Sequence, residues 1–174
     1  MKIEDNFIDQ ENFDKLQSFM WGNNSGIYWF YNDRIVSTDA TNTDKFQFIH
    51  IFYRNEPQSP FMDILIPILE KIDPVSIFRI KANLRTKTSK IEESSFHTDM
   101  RGMSEEKLKQ WTTSIFYVNT NNGYTKFEDG TKVESVANRM VTFPCNMKHT
   151  GTSCTNEQTR VVINFNYFNE QFFE

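Results

Sequence analysis

The stretch Arg160-Val161-Val162-Ile163-Asn164-Phe165-Asn166-Tyr167-Phe168 decides the fold class. β-Branched and aromatic residues, which suit a pleated and largely buried surface, fill most of it. Working outward, shorter runs of the same kind cover residues 112–119, 124–127, 131–133 and 139–143. Asp129-Gly130 marks a tight hairpin turn between the second and third of these runs. Further upstream, 75–84 and 46–53 read as strands, the latter buried, and 27–31 as a short aromatic one. Two helices interrupt the series. Asp9 caps a first helix that carries Phe13, Leu16, Phe19 and Met20 at helical spacing and ends at Gly22-Asn23-Asn24-Ser25-Gly26. After a polar loop through Asp44, Ser59-Pro60 sets an N-cap and first-turn proline for a helix over 61–72, kinked or cut short at Pro67. Helices in the first half and strands in the second predict an α+β chain, mainly β, whose strands form a sandwich or barrel.

The chain has 174 residues, the size of one domain, and buries roughly 70% of its unfolded surface at that length. Aromatics make up 15% of it, with 17 Phe, which excludes a disordered chain, and 6 Gly with 5 Pro exclude collagen-like and low-complexity ones. Nineteen basic against 23 acidic residues give a net charge of −4, so a general nucleic-acid footprint is absent and no nucleic-acid partner is expected. Lys81, Arg85, Lys87 and Lys90 form the one local basic cluster that favours such a partner. The start of the chain lacks the apolar run of a signal peptide, and the most apolar stretch, 61–69, is short and holds Asp63 and Pro67. A cytoplasmic protein without a membrane partner is expected, and the wealth of Asn, Lys, Ile and Phe, whose codons are AT-rich, fits an AT-rich bacterial or viral genome, such as a phage's. The two cysteines, Cys145 and Cys154, are too few for a disulfide framework and are expected as free thiols.

Three histidines are available for chemistry. His50 lies on an apolar strand and reads as a core histidine with its hydrogen bonds satisfied. His97 and Asp99 flank Thr98, and an extended backbone would point both side chains to one face. His149 follows between two later strands. Two imidazoles and one carboxylate form the facial triad of non-haem Fe(II) oxygenases, which leaves coordination positions open. A His-x-Asp tripeptide is also common at surfaces and turns. Arg160 heads an apolar strand, where a buried guanidinium requires a counter-charge; a dicarboxylic co-substrate supplies one through bidentate bonding. A strand end in solvent is the alternative reading of Arg160. A zinc site from Cys145, His149 and Cys154 is a further alternative, although it lacks a fourth ligand.

In their order, His97-Thr98-Asp99, Ile115-Phe116-Tyr117-Val118-Asn119, Gly123-Tyr124-Thr125-Lys126-Phe127, His149-Thr150-Gly151 and Arg160 to Phe168 resemble the Fe(II)/2-oxoglutarate-dependent dioxygenases, within them the prolyl 4-hydroxylase-like group that includes small phage and bacterial members. The resemblance implies a double-stranded β-helix, or jelly roll, with a catalytic core over 91–170 and helical and strand support over 1–90 in a single domain of 1–174. It implies His97, Asp99 and His149 as iron ligands and Arg160 as partner of the distal carboxylate of 2-oxoglutarate. Tyr117 matches a tyrosine that binds the same carboxylate in several members, and it reads equally well as a packed strand aromatic. The implied reaction consumes O₂ and 2-oxoglutarate, releases succinate and CO₂ and hydroxylates a C–H bond, with ascorbate a candidate reductant. A prolyl residue in a peptide or protein is the expected substrate. A free amino acid or other small molecule, a nucleobase and a non-enzymatic jelly-roll binding module are the competing readings. Two departures weigh against the prolyl substrate: Asn166 stands where many prolyl hydroxylases have Trp, and Leu84 is the best match to a site tyrosine on the strand before His97. Phe172 and Phe173 are expected to cap the barrel or to contact a partner.

Overall fold

A computed structural model of the chain describes residues 1–22, 25–36 and 45–169; Phe172 and Phe173 lie outside the described residues. The fold is mainly β, a jelly roll of two antiparallel sheets. The long strand of the opening stretch, β11 (Thr159–Phe168), sits at the centre of the larger sheet. On one side of it come β6 (Trp111–Tyr117), β9 (Arg139–Pro144) and β1 (Lys2–Glu4). On the other side come β5 (Ser76–Thr86), β3 (Gln47–Arg54) and β2 (Phe30–Asn32), with β4 (Glu56–Pro57) paired to β3. The larger sheet therefore runs without a break across residue 90. The smaller sheet has the order β10 (His149–Gly151), β7 (Tyr124–Phe127), β8 (Lys132–Glu134). Gly130, at φ 90°, makes the turn between β7 and β8, where a side chain would be strained.

The two faces of the larger sheet are chemically distinct. Alternate residues of β11 (Val161, Ile163, Phe165, Tyr167), with Ile80 and Ala82 of β5 and Phe116 of β6, belong to the main core. Helix α1 (Gln10–Met20) closes that core with Phe13, Leu16 and Met20, residues three and four apart and so on one helical face. Asp9 caps α1 by accepting from the Asn12 N–H at 3.0 Å. The opposite face of the same strands turns inward between the sheets, and there the sequence switches to Arg79, Lys81, Asn83, Arg85, Arg160, Asn164 and Asn166.

The helix expected over 61–72 is two pieces. Met62–Leu65 is a 3₁₀ turn, and α2 (Ile66–Ile72) begins only then, with Pro67 in its first turn where no N–H is required. Ser59 does not cap α2. Its hydroxyl accepts from the Phe61 N–H at 3.1 Å and bonds His50 Nε2 at 2.8 Å. The strand expected over 27–31 is shifted to β2, because the Tyr28 carbonyl accepts from His50 Nδ1 at 2.7 Å instead of joining a ladder. A third helix, α3 (Glu105–Leu108), capped by Ser104, and the three-residue β10 were not foreseen, both being too short to show periodicity. Among the described residues no helix is long and apolar enough to cross a membrane.

His50, as read from the sequence, is a satisfied buried histidine, and it makes stability depend on pH. Burial lowers its pKa below 6.5, only partly offset by the bond to the Tyr28 carbonyl. Between the folded pKa and 6.5 the unfolded chain binds more protons, so stability is full above that window and is lost as the pH falls through it. Thermal melts between about pH 7 and about pH 5 will show a steeper loss for the wild type than for His50→Gln; parallel slopes would show that His50 is not the group responsible.

Candidate metal centre and its pocket

The smaller sheet continues beyond β10 through single bridges rather than through a further regular strand. His97 pairs with His149, each N–H donating to the other's carbonyl at 3.0 Å, and Glu93 pairs with Thr152. This pairing sets the two imidazoles side by side, with ring centres 5.0 Å apart. Each Nδ1 donates to a backbone carbonyl two residues earlier, Ser95 for His97 at 3.0 Å and Met147 for His149 at 3.3 Å. Both Nε2 atoms are thereby left as lone-pair donors facing the same point. Asp99 Oδ1 lies 3.6 Å from His97 Nε2 and 3.9 Å from His149 Nε2, and the ligand atoms of the three residues all fall within 4.8 Å of one another.

The second oxygen of Asp99 is held by the sheet. Asn164 and Asn166, two residues apart on the inner face of β11, each donate an amide N–H to Oδ2 at 3.1 Å. Asn166 in turn accepts from Arg79 through its Oδ1, at 3.2 and 3.0 Å, and donates to Thr113 Oγ1. Burial opposes charge on Asp99 more than any other single effect. The adjacent His97 imidazole, the Arg79 guanidinium and His149 together outweigh it and hold the carboxyl well below 3.8. Burial likewise outweighs the pull of Asp99 on His149 and lowers its pKa, favouring the neutral ligand form. The rings of Phe143 and Phe127 enclose His149 at 5.0 and 6.1 Å. Two imidazoles and one anchored carboxylate with a pocket before them suit a divalent transition metal such as Fe(II).

Asn166, which the resemblance set where many prolyl hydroxylases have Trp, fixes the Asp99 carboxylate here. Asn166→Ala is expected to weaken Fe(II) binding by about 10- to 100-fold, the usual cost of losing an outer partner. An anaerobic Fe(II) titration checks this; unchanged affinity would mean that Asn164 suffices.

The cysteines stand apart from the cluster, which corrects the zinc alternative. Cys145 bonds Thr113 Oγ1 at 3.0 Å and Cys154 the Glu157 carbonyl at 3.4 Å. Burial pushes the Cys145 thiol up to about 12, so it stays protonated and is a poor ligand.

Arg160 does not end in solvent. It is 3% exposed, and its Nε donates to Ser135 Oγ at 2.8 Å and its Nη2 to Thr125 Oγ1 at 3.2 Å. Directly across the β11–β5 pair lies Arg85, also buried, whose Nη1 donates to Ser94 Oγ and to the Glu92 and Gly151 carbonyls. Like charges in directly opposed positions repel, and among the described residues no carboxylate is paired with Arg160. Both arginines line one cavity with His97, Asp99 and His149. Its free volume is about 70 Å³, room for a small ligand only. Gly123 keeps Arg160 in place by lacking a side chain: a Cβ there would lie 2.7 Å from Arg160 Cδ and 2.6 Å from the Ser153 carbonyl.

Tyr117 is fully buried beside this cavity. Its hydroxyl donates to Thr125 Oγ1 at 2.8 Å, and its ring lies 5.7 Å from the Arg160 guanidinium. Thr125 therefore accepts from both Tyr117 and Arg160, which leaves its own O–H to point into the cavity it lines. Leu84 faces the main core, whereas its neighbours Asn83 and Arg85 face the cavity, so Leu84 is not the counterpart of a site residue. The basic cluster of the sequence reading also separates: Lys81 and Arg85 line the cavity, while Lys87 and Lys90 are exposed. Arg85, Thr125, Asn164 and Ser135 were not foreseen as site residues, since only strand register brings them there.

No family model matches the sequence, and no curated protein matches it. Solved structures do match the fold. A prolyl hydroxylase from Trichoplax adhaerens, in complex with a peptide fragment of the hypoxia inducible factor oxygen degradation domain, superposes with a TM-score of 0.63 at 12% identity, covering 98% of this chain and 84% of the other. A prolyl-4-hydroxylase from Pseudomonas putida gives 0.62 at 13% identity, covering 97% and 92%. An oxidoreductase of the 2OG-Fe(II) oxygenase family from Burkholderia pseudomallei gives 0.59 at 9% identity, covering 90% and 78%. The chain shares the fold of these oxygenases.

Proposed function

We propose that this protein is an Fe(II)- and 2-oxoglutarate-dependent oxygenase that hydroxylates an unactivated C–H bond, with a prolyl residue of a peptide or protein as its substrate. The carrying observation is a cluster of two histidines and one aspartate that opens onto the same cavity as two buried, directly opposed arginines. In this reading the whole chain, 1–174, acts as one catalytic domain. His97, Asp99 and His149 would hold Fe(II), and Arg160, Thr125 and Arg85 would receive the distal carboxylate of 2-oxoglutarate. Tyr117 supports that carboxylate through Thr125. The bound metal supplies O₂ activation coupled to loss of CO₂ from 2-oxoglutarate. The chain's residues orient the co-substrate by its charged end, favour the neutral form of the His149 imidazole and wall the centre with Phe127 and Phe143 against water. Ascorbate would serve as the reductant that keeps the iron ferrous.

The prolyl substrate is supported by the likeness in fold to the two prolyl hydroxylases, one of them with a bound peptide. A panel of proline-bearing peptides, incubated with Fe(II), 2-oxoglutarate and O₂, is expected to gain the mass of one oxygen atom with matching release of succinate. Gain on free amino acids or nucleobases with none on peptides would overturn the prolyl assignment and keep the oxygenase.

A further inference from the structure

A second opening adjoins the cavity at its outer side. It has a free volume of about 520 Å³, several times that of the cavity, and shares Lys81, His97 and Asp99 with it. In the oxygenase reading, a substrate too large for the cavity that presents one C–H bond to the metal finds room for its bulk in this cleft. Five of the residues that line it are cations: Arg34, Arg54, Arg79, Lys81 and Arg101. Among the described residues, the one acidic side chain in its lining is Asp99, which belongs to the metal centre. This runs against the chain's net charge of −4.

The arrangement is costly without a ligand. Arg54 and Arg79 are directly opposed across the β3–β5 pair, a repulsive placement. Arg79 is occupied by Asn166 and lies 3.6 Å from Asp99, and Arg34 is paired with the neighbouring Asp33. Arg54, Lys81 and Arg101 have no ion-pair or hydrogen-bond partner among the described residues. Lys81 projects from the inner face of β5 at the seam between cavity and cleft. A cleft lined by one sign of charge concentrates ligands of the other sign.

We propose that this cleft selects an acidic peptide, one whose carboxylate side chains flank the residue to be hydroxylated, and that Arg54, Lys81 and Arg101 hold those carboxylates. The proposal rests on the oxygenase reading of the adjoining centre. Arginine forks bind carboxylates bidentately. A nucleic acid is the other polyanion, but among the described residues Phe78 and the His97 of the metal centre are the aromatic rings lining the cleft, so bases find little to stack on. The chain's net negative charge also repels a long polyanion.

The test is a binding measurement that needs no turnover. Fluorescein-labelled proline peptides with Glu flanks, and the same peptides with Gln flanks, are titrated by fluorescence anisotropy against the Fe(II)- and 2-oxoglutarate-loaded protein under nitrogen. The Glu peptide is expected to bind at least about tenfold more tightly at low salt and to lose that advantage as salt rises. Arg54→Gln with Arg101→Gln, both at exposed positions, is expected to abolish the preference while leaving the visible band of the iron-bound keto acid unchanged. Equal affinity for the two peptides would overturn the proposal, as would a preference that survives in the double variant. An oligonucleotide of equal charge that displaces the Glu peptide at equal concentration would overturn the peptide assignment. Absence of the keto-acid band would count against the oxygenase reading alone, because anisotropy reports the peptide preference independently.

Discussion

The His149→Ala variant is expected to lose the weak visible charge-transfer band that forms when Fe(II) and then 2-oxoglutarate are added to the wild-type protein under nitrogen. His149 is 3% exposed, its Nδ1 is held by the Met147 carbonyl, and its Nε2 faces Asp99 Oδ1 at 3.9 Å. No other described side chain stands ready to take its place in the cluster. Loss of an outer partner of a metal ligand already costs about 10- to 100-fold in affinity, so loss of the ligand itself is expected to exceed about 100-fold. The imidazole also fills the space between Phe127 and Phe143, so the variant should melt at a lower temperature. His149→Gln, which refills part of that space without an equivalent donor, separates the two effects: iron binding stays lost while much of the melting temperature returns. Cys154→Ala serves as the control and is expected to bind iron as the wild type does. An intact band in a folded His149→Ala protein would remove the metal centre from this position.

Arg160→Ala is expected to keep its iron and to need about 100-fold more 2-oxoglutarate to form the band. Charge-assisted hydrogen bonds contribute about 1.5–3 kcal/mol, and a factor of 100 corresponds to about 2.7 kcal/mol. The effect is bounded because Arg85 remains across the strand pair and Thr125 keeps its hydroxyl in the cavity. Arg160→Lys retains the charge but loses the fork that bonds Ser135 and Thr125 together, and should fall between. A 2-oxo acid without the distal carboxylate, 2-oxobutyrate, discriminates further: wild type and Arg160→Ala should bind it with the same weak affinity. If the variant bound 2-oxobutyrate and 2-oxoglutarate in the wild-type ratio, Arg160 would not be the carboxylate partner.

Both experiments concern residues that the sequence pointed to, yet much of what surrounds them was not readable there. The motif order singled out Arg160, while Arg85 was grouped with Lys81, Lys87 and Lys90 as a basic cluster. Lys87 and Lys90 do lie exposed, but Arg85 turns inward because its strand pairs with β11 in a register that sets it opposite Arg160. Asn166 registered only as the absence of a tryptophan. Its role, donating to Asp99 while accepting from Arg79, joins β11, the loop after His97 and β5. Leu84 was matched to a site residue and faces the core instead, since a shift of one residue along a strand reverses the face.

What the sequence determined by itself is what short-range forces decide. Strand β7 has the bounds its composition implied, α1 begins at the Asp9 cap, and Gly130 turns the hairpin between β7 and β8. Each depends on side chains acting on backbone within a few residues. Tertiary structure decided the remainder. His97 meets His149 through a bridge between segments 52 residues apart by number, and Asn164 reaches Asp99 across 65. Ser59, expected to cap the helix over 61–72, is instead bonded to His50 of β3, a contact that the Ser59-Pro60 pair does not reveal. Register between distant strands is set by the combined burial of whole faces, and no local propensity encodes that sum.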